Sequence, residues 1–316
     1  MPNLFGKQMI EISNLTKHSD KKSTVSDFSF SANKQECLGL FGESSSVKTA
    51  LLNLMSGITH PSSGYINIQG FNTQTHAFKT KNLVGYQLFK ELAHPTMSVK
   101  EFLNFIAAIR GFHGAEKRAR VEHAAARLEL SSVLRAPLDA LSTGLKRKVA
   151  IAQAILHTPT LLLLDEPTEG LASDQKHTFR ALIRSLTQEM TVIIASRDCD
   201  ELSELCTRAL VISGGRLVAD TPLPDLQRDS RHFQAVTLAA DNPLDLLALA
   251  VLPGVAGIEE HRHAPGTVTV LAMPWHAIYP HINMLIANRR WKINSLNLEP
   301  GRLIDVVQHL SREAHP

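Results

Sequence analysis

Residues 141–171 read LSTGLKRKVAIAQAILHTPTLLLLDEPTEGL, a helix start broken by glycine, an apolar helix, a run of leucines and then two adjacent acids. Ala150, Ile151, Ala154 and Ile155 recur at helical spacing after Gly144, and His157-Thr-Pro159 ends the helix, because proline removes a backbone donor. Leu161 to Leu164 is a continuous apolar run, the composition of a parallel strand covered on both faces. Asp165 and Glu166 follow at its C-terminal end, where open α/β sheets bind ligands and where paired carboxylates handle metal and water.

Upstream, residues 36–55 read ECLGLFGESSSVKTALLNLM, the strand, loop, Lys-Thr and helix of a phosphate-cradling segment. The consensus G-x-x-x-x-G-K-[ST] appears as Gly42-Glu-Ser-Ser-Ser-Val47-Lys48-Thr49. Lys48 is placed to pair with β and γ phosphates and Thr49 to reach Mg²⁺. Val47 replaces the second glycine, and a β-branched residue resists positive φ, so weakened nucleotide binding is expected, reinforced by the charge of Glu43.

The order of phosphate loop, LSTG segment and LLLLDEPT strand resembles the nucleotide-binding subunit of an ATP-binding cassette (ABC) transporter, over roughly residues 8–225. The fold class implied is α/β, a P-loop NTPase cassette with a mixed sheet core and a helical subdomain at about 90–140. ATP and Mg²⁺ are the implied cofactors. The implied roles place Gly42, Lys48 and Thr49 on the phosphates, Asp165 with Thr49 on Mg²⁺, and Glu166 as the carboxylate that polarises the attacking water. Ser142 and Gly144 would bind the γ phosphate held by the opposite subunit of a dimer, with Lys146 and Arg147 either adding positive potential there or forming an exposed first turn.

Five positions depart from the family pattern. Ser19 stands where an aromatic residue stacks on adenine, Val47 replaces glycine, and Phe89 stands where glutamine touches Mg²⁺, unless Gln87 substitutes from two residues earlier. Ala172 replaces the aspartate of Gly-Leu-Asp, and Arg197 replaces the switch histidine at the end of Thr191 to Asp198. Arginine donates and never accepts, so Arg197 can clamp phosphate but cannot orient water as an acceptor. Together with an intact LSTG segment, these departures imply the weak half of a heterodimer, partnered by a second, motif-complete ABC ATPase subunit and a polytopic membrane permease. A homodimeric ATPase with working substitutions and a non-catalytic scaffold are the alternatives.

The 316 residues suffice for two domains, and a net charge of +3 from 33 basic and 30 acidic residues gives no field for nucleic acid. Glu116-Lys-Arg-Ala-Arg120 reads as a solvated helix face. Cys37, Cys199 and Cys206 are too few for a disulfide framework, which suits a reducing cytosol; Cys199 and Cys206, seven apart, are expected to pack on one helix face. His261 and His263 read as exposed rather than as metal ligands. With no basic leader and no run near the roughly 20 apolar residues that cross a bilayer, membrane association is expected through a partner, at the cytoplasmic face.

Met9 to Ile12 and Phe28 to Phe30 alternate as strands around a polar turn at His18 to Ser23. Met97 to Arg110 carries a helical apolar stripe with Ser98 as N-cap, opening a subdomain that runs to about Leu138, with Phe89 to Pro95 at its edge as the permease-docking groove. Domain boundaries are expected at 1–230 and 233–316, joined by a polar linker from Gln227 to His232. From Phe233 the order strand, helix, strand, strand, helix, strand predicts a ferredoxin-like α+β module with a closing helix at Ile304 to Leu310. Similar appendices occur on subunits of the gliding-motility and copper-enzyme-maturation exporter branch, and regulation or dimer contact is the implied role.

Overall fold

The computed structural model describes residues 8–19, 22–42, 44–88, 96–261 and 264–313. Glu43, the segment Phe89 to Pro95 and His263 lie outside the described residues, as does the side chain of Ser19. Two compact units are present, one of residues 1–220 with 311–316, the other of 221–310.

The first unit holds two sheets. Strands β1 (Gln8–Ser19), β2 (Lys22–Asn33), β4 (Ser63–Ile68) and β5 (Phe71–Asn72) form an antiparallel sheet in the order β2-β1-β4-β5. Both leading strands are longer than their alternating cores, and the ladder continues through the expected polar turn to Ser19 opposite Lys22. Register shifts after Ile12 and Leu15 are the reason, since each bulge resets the two-residue period. Asn14 and Asp27 take positive φ at this irregularity, and the Asn14 amide donates to Asp27 Oδ1 at 2.8 Å.

The second sheet runs β10-β9-β3-β8-β7-β6, with β3 (Cys37–Phe41), β6 (Val84–Gln87), β7 (Leu161–Asp165), β8 (Thr191–Ala195), β9 (Arg208–Ser213) and β10 (Arg216–Pro222). The strands from β9 to β6 are parallel. Leu161 to Leu164 are fully buried, as the leucine run requires. Register decides the function of this sheet: Ala195 pairs with both Leu40 and Asp165, so the C-terminal ends of β3, β8 and β7 form one row. Ligand chemistry is concentrated on that row.

Helices α1 (Ser45–Met55), α2 (Ala77–Leu83), α6 (Ser173–Thr187) and α7 (Cys199–Leu205) follow strands of the sheets. The intervening α3 (Val99–Ile109), α4 (Gly114–Arg127) and α5 (Thr143–Ile155) form the helical subdomain. Ser98 caps α3 through a full capping box with Glu101. The arginine-rich α4 is exposed on that face as expected, with Arg120 and Glu116 paired four residues apart. Cys199 and Cys206 do not share a helix face: Cys206 is the C-cap of α7 in extended conformation, and its thiol lies 3.7 Å from Cys37 Sγ in the core.

In the second unit, α8 (Leu223–Arg228) precedes β11 (Phe233–Ala240), α9 (Leu246–Ala250), β12 (Val255–Glu260), β13 (Thr267–Ala272), α10 (Tyr279–Arg289), β14 (Ile293–Pro300) and α11 (Leu303–Glu313). The antiparallel order β12-β13-β11-β14 is that of a ferredoxin-like sandwich. Val236, Leu238, Val268, Val270 and Ile282 form its core. The expected linker contains a helix turn and a buried side chain: His232 is 2% exposed, with Nδ1 2.6 Å from Asp305 Oδ2 and Nε2 2.8 Å from Glu259 Oε2. Polar composition alone concealed it.

Candidate functional site

Gly42 ends β3 at φ +149, and a Cβ there would lie 2.4 Å from the Ile212 carbonyl oxygen, so the first glycine is demanded by the fold. Helix α1 begins three residues later, capped by Ser44, whose Oγ accepts from the Val47 N–H at 3.4 Å while its carbonyl accepts from the Lys48 N–H at 3.3 Å. Val47 therefore lies inside the helix with right-handed backbone and packs against the core. The strain expected of a β-branched residue at positive φ does not arise in this conformation, because Ser44 starts the helix early. What changes is the donor set, since the N–H groups of Val47 and Lys48 are spent within the helix.

Lys48 is 1% exposed and its Nζ donates to the Ser196 carbonyl at 2.6 Å. Burial lowers its pKa, opposed by the charge of Glu166. Beside it the Thr49 hydroxyl donates to Asp165 Oδ2 at 2.8 Å. Burial raises the Asp165 pKa, and the Thr49 bond and the Lys48 charge pull it back. Gln87, at the end of β6, reaches this point too: Nε2 donates to the Asp165 carbonyl at 3.3 Å, and its Oε1 is buried without a hydrogen-bond partner among the described residues. Hydroxyl, carboxylate and an orphaned amide oxygen are a hard-oxygen set that fits Mg²⁺, which neutralises phosphate charge when bound.

Glu166 holds φ +46, uncommon for a residue with a side chain, and its N–H donates to Ala195 O at 2.8 Å across the strand row. Its Oε2 accepts from the Arg197 N–H at 3.1 Å, and its Oε1 has no hydrogen-bond partner among the described residues, with Arg197 Nε 3.9 Å away. Burial pushes its pKa up. The Arg197 side chain is 64% exposed, and Nε donates to Ser45 Oγ at 2.6 Å, bridging the acid and the first turn of α1.

Sequence reasoning missed Glu201. This residue is 1% exposed and accepts from Ser196 Oγ at 2.8 Å, while the Asp198 N–H donates to the same hydroxyl and Asp198 Oδ1 caps the Glu201 N–H. The network fixes the Ser196 carbonyl on which Lys48 rests. Its signal is the Asp198-Cys-Asp-Glu201 spacing of a helix start.

Ser142 caps α5, accepting from the Leu145 N–H at 3.4 Å, and is exposed. Gly144 lies within the helix with Gln175 and Leu171 nearest, both 3.7 Å from where a Cβ would stand. The structure thus gathers Gly42, Lys48, Thr49, Asp165, Glu166 and Arg197 on the strand row and sets Gly144 against the 171–175 segment. Arg147 turns toward its own chain's acids: burial lowers its pKa, against the charges of Glu169, Asp165 and Glu166. Ala172 occupies the N-cap of α6 with no side-chain acceptor.

The ABC transporter family model matches residues 25–169. The chain is 30% identical to the ABC transporter ATP-binding protein NatA of Bacillus subtilis (strain 168), over 67% of this chain and 88% of that one. It is 27% identical to the linearmycin resistance ATP-binding protein LnrL of the same organism, over 88% of this chain and 93% of that one. Among solved structures, cbiO1 from Clostridium perfringens, part of the ABC transporter complex cbiONQ, superposes with a TM-score of 0.64 at 24% identity, covering 71% of this chain and 92% of that one.

Proposed function

Because the chain belongs to the ABC transporter family as a nucleotide-binding subunit, we propose that it is the hydrolytically weak half of a heterodimer that lends its Ser142 and Gly144 to a partner's active site. The observation that carries this reading is at Glu166: its carboxylate receives the Arg197 N–H and faces a guanidinium where an acceptor for water's second proton is required. In the chain's own site, Lys48 binds phosphate, and Thr49 with Asp165 holds Mg²⁺, with Gln87 standing in for the oxygen that Phe89 lacks. At the other end, an exposed cap and a half-buried glycine where a Cβ would meet its neighbours only at van der Waals distance suit a surface that closes on a neighbour's nucleotide. Among the described residues no helix is long and apolar enough to cross a membrane, so we place the chain at the cytoplasmic face through a permease partner. The ferredoxin-like unit serves regulation or dimer contact in this scheme.

The test uses the complex purified from the native cell. Ser142→Arg is expected to abolish ATP hydrolysis and Glu166→Gln to leave most of it, while the chain alone stays at background. Retention of Lys48, Thr49, Asp165 and Glu166 in one cluster favours a second reading, a homodimeric ATPase, in which Glu166→Gln removes turnover. Robust hydrolysis by the isolated chain would decide for the homodimer.

A further inference from the structure

We propose that the ferredoxin-like unit binds a small organic cation with an apolar body, an amphiphilic amine, in the cavity between the β11–α9 turn and the β12–β13 turn. All the residues of this cavity belong to the second unit, and the site and the nucleotide-subunit reading stand or fall separately. The cavity measures about 550 Å³, within the roughly 300–1,000 Å³ of small-molecule sites. Backbone ties its rims together. The Ala240 N–H donates to the Gly266 carbonyl at 3.0 Å, and the His261 N–H to the Thr267 carbonyl at 3.1 Å. A Cβ on Gly266, at φ +80, would lie 2.3 Å from the Ala240 carbonyl oxygen, so the two turns approach as closely as glycine permits. The hollow is built by the turns themselves and needs no ligand to open it.

Its chemistry is one-sided. Leu244, Leu246 and Val268 supply apolar wall, and the charged side chains are Asp241 and Glu260, with no lysine or arginine among the described lining residues. Arg290 and Lys292 line a separate cavity of about 160 Å³ that shares Ala240 and the 242–244 turn. Asp241 Oδ1 accepts from the Asn294 amide at 2.6 Å, which holds the carboxylate in place and leaves Oδ2 to a ligand. The Glu260 side chain is exposed and makes no hydrogen bond or ion pair among the described residues. The tautomer of His261 follows from a chain of bonds across the sheet. Thr237 Oγ1 gives its one proton to Glu299 Oε1 at 2.7 Å, so in the 2.8 Å contact between Thr237 and Thr269 the Thr269 hydroxyl donates. Thr269 then has no proton for His261, whose Nε2, 2.8 Å away, must itself donate. In the neutral imidazole Nδ1 is therefore an acceptor. Two carboxylates beside an imidazole acceptor select positive charge and N–H donors. Among the described residues no three His, Cys, Asp or Glu side chains are grouped to hold a metal ion, so the cation that fits is organic, its apolar part lying against the leucines and valine.

The experiment is calorimetric titration of the full chain near neutral pH with four probes. 2-Phenylethylamine and n-hexylamine join an ammonium to an apolar body, methylamine has the charge alone, and 3-phenylpropionate has the body with the opposite charge. The two amphiphilic amines are expected to bind with dissociation constants of about a millimolar, at least about tenfold more tightly than either control. Glu260→Gln is expected to weaken their binding about three- to tenfold, the worth of one exposed charge pair, and Glu260→Lys, which sets a competing ammonium at the rim, to abolish it. The ranking of the four probes on wild type tests the site without any variant. No binding of either amphiphilic amine, 3-phenylpropionate binding as tightly as they do, or undiminished amine affinity in both Glu260 variants overturns the inference. ATP hydrolysis by the complex tests the subunit reading separately.

Discussion

Replacing Ala172 by aspartate should stabilise the first unit, and the size of the gain follows from the geometry of one helix end. Ala172 has the extended backbone of an N-cap, φ −68 and ψ 159, directly before α6, yet offers no side-chain acceptor to the first-turn N–H groups. Aspartate, asparagine or serine at such a position is worth about 0.5–2 kcal/mol over alanine, and a negative charge at the helix start adds about 0.3–1 kcal/mol. Asp174 already places one negative charge in the first turn, so a second nearby gains less from the helix dipole, which offsets part of the second figure. A net gain of about 1 kcal/mol is expected, or roughly 2–4 °C in the melting temperature of a unit of this size. The gain reaches the whole unit because Phe179, Ile183 and Leu186 bury the helix in the core. Thermal unfolding at low and high salt separates the contributions: Ala172→Asn keeps the hydrogen bond without the charge, and its gain is insensitive to salt. An Ala172→Asp variant that melts at or below wild type at low salt refutes the assignment of Ala172 as an uncapped helix start.

Two pH-dependent predictions join those already made for Ser142, Glu166 and Glu260. The buried Glu201 carboxyl is pushed above the usual range by burial, which outweighs the opposing hydrogen bonds of Thr168 and Ser196. The fold thus disfavours its charged form, a penalty that grows as pH rises past the ordinary glutamate value, so the advantage of Glu201→Gln in denaturant unfolding should reach about 1 kcal/mol near neutrality and vanish in acid; an equal advantage at both ends would refute it. His157 is buried with Nε2 3.0 Å from the Val84 carbonyl and is pushed down from 6.5 to about 4, first by burial and then by the charge of Arg110. Its stabilisation is complete above the ordinary histidine value and is lost as pH falls toward the depressed one, by up to about 3 kcal/mol; His157→Gln, which retains a donor, should flatten the melting curve of stability against pH over that interval.

The elements legible in the sequence are those whose pattern reflects a single cause. Leu161 to Leu164 reads as a strand because both faces are buried, and Ser98 reads as a helix start before the apolar stripe of α3, where the structure adds the reciprocal bond of Glu101. The βαββαβ order after Phe233 was legible from periodicity, and the onset of α9 was not, because it depends on the Asp245 side chain accepting from the Ala248 N–H. The site was legible as residue types and not as contacts. Val47 reads as a strained position until Ser44 is seen to open the helix, and the positioning role of Glu201 depends on Ser196 meeting it across a turn. Cys206 at the end of α7 meets Cys37 of β3, 169 residues away, a relation no local spacing carries.

The two glycines that the proposed function assigns to nucleotide contacts differ in what enforces them. At Gly42 the enforcement is internal: positive φ and the Ile212 carbonyl, 2.4 Å from a Cβ, exclude every side chain whether or not a nucleotide is present. At Gly144 nothing internal does so, because the backbone is helical and the nearest atoms leave ordinary van der Waals space. A glycine early in a helix costs about 1 kcal/mol relative to alanine, a cost this chain recovers nowhere in its own packing. In the proposed dimer the recovery belongs to whatever approaches the exposed end of α5, where Ser142 caps the Leu145 N–H at the surface. In the reading proposed above, Arg197 stands at the water-orienting position and Ala172 at the communicating one. In the proposed heterodimer, a glycine that its own chain does not enforce serves the neighbour's nucleotide, and the Ser142→Arg and Glu166→Gln pair measures that asymmetry.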